Sequence, residues 1–254
     1  MQLSRWLGWA AASSAPASTL PLLAAVLAVL VAVSTGPATA ASGSRSVVVQ
    51  RTQELAILLD SHTAMSAPDK RSTELQLVSP QRPITGERTV LPVIGHRSVD
   101  GVAWLHVLLP GRPNGHAGWI RRSGTSATRT SWHIVVDTSE RRVTVFREGR
   151  PVRVFKAVVG KPATPTPNGQ FFVEEVVQLE TRDVGAPFAI ALSARSNVLQ
   201  EFDGGPGQVA LHGLANIGGV LGTDVSHGCV RLDTDAVSWL AGRIGPGFPV
   251  TITS

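Results

Sequence analysis

The chain contains a single cysteine, Cys229, in the run DVSHGCVRL from Asp224 to Leu232. A thiol attacks as its thiolate, and an unperturbed pKa near ~8.5 leaves little thiolate at neutral pH. A neighbouring imidazole cures this by taking the proton, which predicts a thiolate–imidazolium pair. Two histidines are placed for it: His227, just before Gly228 and Cys229, and His212 upstream in ALHGLANIGG. The segment GLANIGGVLGTDV (213–225) has four glycines and no proline, so it can reverse tightly and return His212 to the cysteine. Gly228 has no Cβ, which lets a carbonyl approach the backbone there. The amides of Gly228 and Cys229 are candidate oxyanion donors to a tetrahedral intermediate. The competing chemistry is a mixed zinc set of His212, His227 and Cys229; no H-E-x-x-H motif accompanies it. The remaining histidines, His62, His96, His106, His116 and His133, read as ordinary surface or core residues.

These side chains need a scaffold, and the pattern around them is mainly β. WHIVVD (132–137) and RRVTVFREG (141–149) flank the turn TSER, a hairpin signature, and PVRVFKAVVG (151–160) extends the meander. GKPATPTPNG (160–169) is a stiff proline-rich loop. QFFVEEVVQLE (170–180), FAIALS (188–193), VALHG (209–213) and FPVTIT (248–253) read as further strands. DTDAVSWLAGRIG (233–245) is the one clear helix. Asp233 or Thr234 caps it, Ala236, Val237, Leu240, Ala241 and Ile244 form its apolar face, and Gly245 and Pro246 stop it. Upstream, TVLPVIGH (89–96), VAWLHVLLP (102–110) and the strand-like end of GRPNGHAGWIRR (111–122) suggest a small β module over 55–124, while 55–79 is ambiguous between strand and helix. Residues 41–54 form a lead-in, TSATRTS (125–131) a polar linker, and 132–254 the chemistry-bearing domain.

The N-terminus carries Arg5 and then no charge until Arg45; LPLLAAVLAVLVAV (20–33) is followed by STGP and Ala38-Thr39-Ala40. A basic start, an apolar core and an A-x-A end are the parts of a secretory signal peptide, expected over 1–40, with an uncleaved anchor as its competitor and the only membrane contact foreseen. The run is shorter than the ~20 residues that comfortably span a bilayer. The protein is therefore expected in the extracytoplasmic space or cell wall, where a lone cysteine makes no internal disulfide. Its 254 residues are 43% hydrophobic and 16% charged, which excludes wholesale disorder, and a formal charge of +5 favours anionic surroundings. The charges are scattered without interleaved aromatics, so nucleic acid is not expected as a partner.

LHG (211–213), the thirteen residues between His212 and Ser226, SHGCVRL (226–232) and VVGKPATPTPNGQF (158–171) together resemble the signature of the L,D-transpeptidase catalytic domain. The resemblance covers about residues 131–254 and includes HIVVDTSERRVTVFREGRPV. It implies a β-rich fold with the nucleophile on a loop beside the sheet, no cofactor, and action on peptidoglycan stem peptides in cell-wall organisation and shape. Cys229 would attack the diaminoacyl carbonyl of a tetrapeptide and expel the terminal D-Ala. The acyl group would pass to an amine of another stem, giving a 3→3 cross-link. His212 would be proton donor and acceptor, and His227, Gly228 and Cys229 would supply the oxyanion amides, the His227 ring orienting the loop. Ser226, Arg231 and Gly213 would support substrate binding, Arg231 meeting a stem carboxylate or forming an ion pair. Carbapenems would acylate the thiol. Gly213 stands where some members have serine, so only a backbone carbonyl could orient His212; the tyrosine that some members place near the oxyanion is absent. The same machinery would serve an L,D-carboxypeptidase, and an idle wall-binding module is the non-enzymatic alternative. The upstream region is similar to small bacterial Src-homology-3-like wall modules, with Trp104 and Trp119 expected to pack its core.

Overall fold

A computed structural model describes residues 47–202 and 204–254. The expected leader, 1–40, lies outside the described residues.

The ambiguous stretch after residue 50 resolves into strands. β1 (Gln53–Leu58), β2 (His62–Met65), β3 (Glu74–Val78), β4 (Val90–Val99), β5 (Val102–Leu108), β6 (Ala117–Arg121) and β7 (Thr125–Thr130) form one antiparallel sheet in the order β3-β2-β6-β5-β4-β1-β7. β7 corrects the expected linker over 125–131. It pairs with β1 along its whole length, from Gln53↔Thr130 to Leu58↔Thr125. Four of its six residues are exposed, so no apolar alternation marked it; its threonines suit a strand, and its backbone covers the edge that β1 would otherwise leave open. Trp104 is buried at 4% exposure, and Trp119 stacks on His106 with ring centroids 4.6 Å apart.

The second sheet has eight strands: β8 (Trp132–Asp137), β9 (Arg142–Arg147), β10 (Arg150–Lys156), β12 (Gly169–Gln178), β13 (Phe188–Arg195), β14 (Gln208–Gly213), β16 (Val230–Leu232) and β17 (Pro249–Thr253). Their order is β10-β9-β8-β17-β12-β13-β14-β16, with parallel pairing of β17 to β8 and β14 to β16. A short parallel pair, β11 (Val159–Gly160) with β15 (Asp224–Ser226), lies alongside. The helix α1 (Thr234–Ala241) is shorter than predicted. Asp233 caps it by accepting from the Ala236 amide at 2.7 Å, and it ends at Gly242, a poor helix former. Ala236, Val237 and Leu240 bury its apolar face in a core shared with Leu211, Val230 and Leu232, the residues that flank the chemistry.

The two sheets lie in one compact unit over residues 49–254. Phe172 of β12, 1% exposed, packs into the core of the first sheet rather than its own. Beside it the register of β12 shifts between Val173 and Glu175. The buried Glu174 pairs with Arg82 of the first module and, at 3.0 Å, with Arg195 of β13.

Candidate active site

His212 lies on β14, and Cys229 directly precedes β16, the parallel strand beside it. His212 is paired with Arg231 across β14 and β16, and partners in register point to the same face of a sheet. Cys229, two residues before Arg231, falls on that face too. The Arg231 charge acts on both groups as a lesser influence beside burial, adding to the lowering of the His212 pKa and opposing the rise of the Cys229 pKa.

The turn that presents the thiol is locked from inside. Ser226 is fully buried; its Oγ accepts from the Gly228 amide at 3.1 Å and donates to the Cys229 carbonyl at 2.6 Å. Gly228 sits at φ +121°, where only glycine is unstrained. The proline-rich loop braces the turn: the Lys161 amide donates to the Ser226 carbonyl at 3.0 Å, and the Thr164 hydroxyl reaches the same oxygen at 3.3 Å. Gly160 permits this wrap, since a Cβ there would sit 2.4 Å from the Thr166 nitrogen.

His212 is 1% exposed, and its Nδ1 lies 2.7 Å from the Gly213 carbonyl. A carbonyl only accepts, so Nδ1 carries the proton and Nε2 carries the lone pair that a base needs. One glycine makes room for the ring and another for the backbone that runs beside it. A Cβ on Gly185 would lie 2.6 Å from Nδ1, and one on Gly213 would lie 2.1 Å from the Ala186 carbonyl oxygen. Gly185 was not among the residues read from the sequence, because it lies far along the chain in a loop that carries no motif.

Burial sets the resting protonation. It lowers the His212 pKa to about 4, with the Gly213 hydrogen bond opposing and Arg231 assisting. It raises the half-buried Cys229 thiol, against smaller lowering effects of the Ala210 amide and Arg231. Both shifts favour the neutral forms. At rest they weigh against the expected thiolate–imidazolium pair and toward a thiol and an uncharged imidazole.

Several sequence-predicted residues have other duties than those expected. Gly228 gives its amide to Ser226, so it is not placed as an oxyanion donor. Ser226 turns both hydrogen-bonding functions inward, away from substrate. Gly213 is buried, with its amide donated to the Gly185 carbonyl at 2.7 Å. Arg231, 5% exposed, donates to the Gly218 carbonyl at 3.1 Å and so ties down the glycine-rich loop after β14. His227 is exposed: its Nε2 lies 3.4 Å from the Lys161 Nζ and its ring stacks on Phe202 at 5.8 Å. Burial and the nearby charges of Lys161 and Arg231 lower its pKa. Among the described residues no three His, Cys, Asp or Glu side chains gather as a metal-binding set. His62 and His133 have local partners elsewhere: His62 lies against the Asp60 and Ser123 carbonyls at 2.9 and 3.0 Å, and His133 against the Thr251 hydroxyl at 2.8 Å.

Residues 131–252 match the family model described as the L,D-transpeptidase catalytic domain. The chain is 26% identical over 245 residues to L,D-transpeptidase 1 of Mycobacterium tuberculosis, covering 75% of this chain and 94% of that protein. It is 29% identical over 121 residues to the putative L,D-transpeptidase YkuD of Bacillus subtilis, covering 48% and 65%. Among solved structures, an L,D-transpeptidase from Mycobacterium smegmatis aligns at 19% identity and a TM-score of 0.37, over 65% of this chain and 99% of that one. The LD transpeptidase LdtMt1 in complex with imipenem aligns at 19% and 0.40, over 64% and 100%. The segment that carries Cys229, His212 and their supporting loops, residues 131–252, thus belongs to the L,D-transpeptidase catalytic-domain family, the cysteine-dependent acyltransferases.

Proposed function

We propose that this enzyme forms 3→3 cross-links between peptidoglycan stem peptides through an acyl-enzyme on Cys229. The observation that carries the reading is the His212 ring, whose Nδ1 is engaged by the Gly213 carbonyl, leaving Nε2 as the base on the face that Cys229 shares. In the first half-reaction the Cys229 sulfur bonds to the diaminoacyl carbonyl carbon of a tetrapeptide as His212 Nε2 takes the thiol proton. The oxyanion faces the Cys229 amide, the Gly228 amide being engaged by Ser226. The carbon–nitrogen bond then breaks, and the imidazolium gives its proton to the departing D-Ala amine, leaving a thioester. In the second, the side-chain amine of another stem attacks the thioester, its proton goes to His212, and the thiol re-forms. The leader-like residues 1–40 support action outside the cytoplasm, at the cell wall.

The test is the intact mass of the purified protein after incubation with a carbapenem. The relative LdtMt1 is named in complex with imipenem, a suitable first probe. One covalent adduct is expected, absent from Cys229→Ala and formed about 10²–10⁴-fold more slowly in His212→Ala. Stem tetrapeptides then distinguish acceptors: cross-linked dimers with released D-Ala support the proposal, whereas tripeptide alone assigns water as acceptor. No adduct on a folded protein overturns the activated thiol.

A further inference from the structure

The loop between β13 and β14, residues 196–207, is shaped by the other module. Arg112 lies between β5 and β6 of the first sheet. Its guanidinium donates to three carbonyls of this loop: Pro206 at 2.8 Å, Ser196 at 2.8 Å and Leu199 at 3.1 Å. These oxygens mark the loop's start, middle and end, and the planar fork of five donors is suited to gathering them. Asn114 pins the entrance: its amide nitrogen donates to the Arg195 carbonyl at 2.7 Å and to Asn197 Oδ1 at 3.0 Å, and its oxygen accepts from the Arg195 amide at 2.8 Å. Gly207 closes the exit, because a Cβ there would fall 2.0 Å from the Leu199 carbonyl oxygen.

The loop so held ends in a tight turn with reciprocal Phe202–Gly205 backbone bonds of 2.9 and 3.0 Å. That turn sets the Phe202 ring against the His227 ring, centroids 5.8 Å apart and planes 30° from parallel. The chain then enters β14 at Gln208, whose carbonyl lies 4.0 Å from the Cys229 sulfur. One connected path therefore runs from Arg112 to the Phe202–His227 ring pair, His227 lying two residues before Cys229 in the chain.

We infer that Arg112 and Asn114 are positioning residues for the acyl donor. They fix the 196–207 loop before substrate arrives, so that Phe202 and His227 form a standing wall against which the methylene side chain of the diaminoacyl residue lies. This rests on the reading of Cys229 as acyl acceptor from a stem peptide. A preformed wall spares the donor the entropy of ordering the loop, so its loss falls on donor affinity more than on the chemical step. The first module is then part of the substrate site rather than an appendage to it.

The experiment compares wild type, Arg112→Ala, Arg112→Lys, Phe202→Ala and Arg112→Ala/Phe202→Ala as full chains. Two readouts are taken: KM and kcat with a stem tetrapeptide, and the ratio of Cys229 alkylation rates by pyrenyl maleimide and iodoacetamide. Arg112→Ala and Phe202→Ala are each expected to raise KM about tenfold, with the smaller change in kcat. Each should raise the bulky-to-small ratio at least about threefold, because the wall is displaced or gone. Arg112→Lys should behave like Arg112→Ala, since a single ammonium does not reproduce the fork. The double variant should be no worse than the poorer single one, because Arg112 acts through Phe202. An unchanged ratio in Phe202→Ala, which leaves the loop's anchors intact, overturns the wall. Additive effects in the double variant, or full rescue by lysine, overturn the relay. Failure of the wild type to use any tetrapeptide refutes the proposed function while the alkylation ratio still reads the wall.

Discussion

Two residues set the chemistry, and their surroundings determine how pH controls it. The His212 pKa of about 4 lies below its ordinary value, so the base form is present above that point and is lost as pH falls through it. Acylation by a carbapenem should therefore persist into mildly acid solution and collapse below about pH 4, an outcome that stopped-flow absorbance reads directly. The thiol moves the other way. Iodoacetamide alkylation of Cys229 should continue to climb with pH beyond the ordinary thiol range, because burial raises its pKa. A flat rate from pH 5 to 8, the signature of a standing ion pair, would sink the neutral-pair assignment. Gly185 makes room for the His212 ring. At φ +84°, and with a Cβ meeting the His212 ring at 2.6 Å, Gly185→Ala should displace the imidazole and slow acylation by about a hundredfold.

Elements explain what the sequence made legible. The longer strands of the second sheet, the proline-rich loop and the capped helix were readable because alternation, proline spacing and an Asp cap are local signals; β15 and β16, the three-residue strands on either side of the cysteine turn, were too short to show an alternation. β7 was not, because its partner β1 lies some seventy residues upstream and its side chains face water. Cys229 and His212 announced themselves by residue type and spacing. The inward duties of Ser226 and Arg231 did not, since a polar residue beside a nucleophile reads equally well as a substrate contact. The turn can be tested as a unit. Ser226→Ala removes the bridge between the Gly228 amide and the Cys229 carbonyl, and should lower the acylation rate at least about tenfold. Asp233→Ala, by comparison, removes a helix cap and should reduce stability by about 1 kcal/mol in chemical denaturation.

At the scale of the whole molecule the two sheets share their interior. Phe172 belongs to β12 yet fills the core of the first sheet, so Phe172→Ala should destabilise the protein by about 3–5 kcal/mol in a denaturant melt. Arg82→Ala removes one of the two arginines paired with the fully buried Glu174 and should be destabilising by a similar amount, about 3–5 kcal/mol. A single unfolding transition is expected for both modules, seen as coincident loss of near-UV and far-UV circular dichroism.

The raised thiol pKa has a meaning beyond catalysis. Peroxides and disulfides oxidise the thiolate, so a cysteine that stays protonated until a substrate carbonyl is in place presents a poor target between turnovers. Ordinary cysteines outside the cytoplasm endure by pairing with one another. Under the proposed extracytoplasmic function, Cys229, with no second cysteine in the chain, is expected to draw that protection from the burial that favours its thiol form.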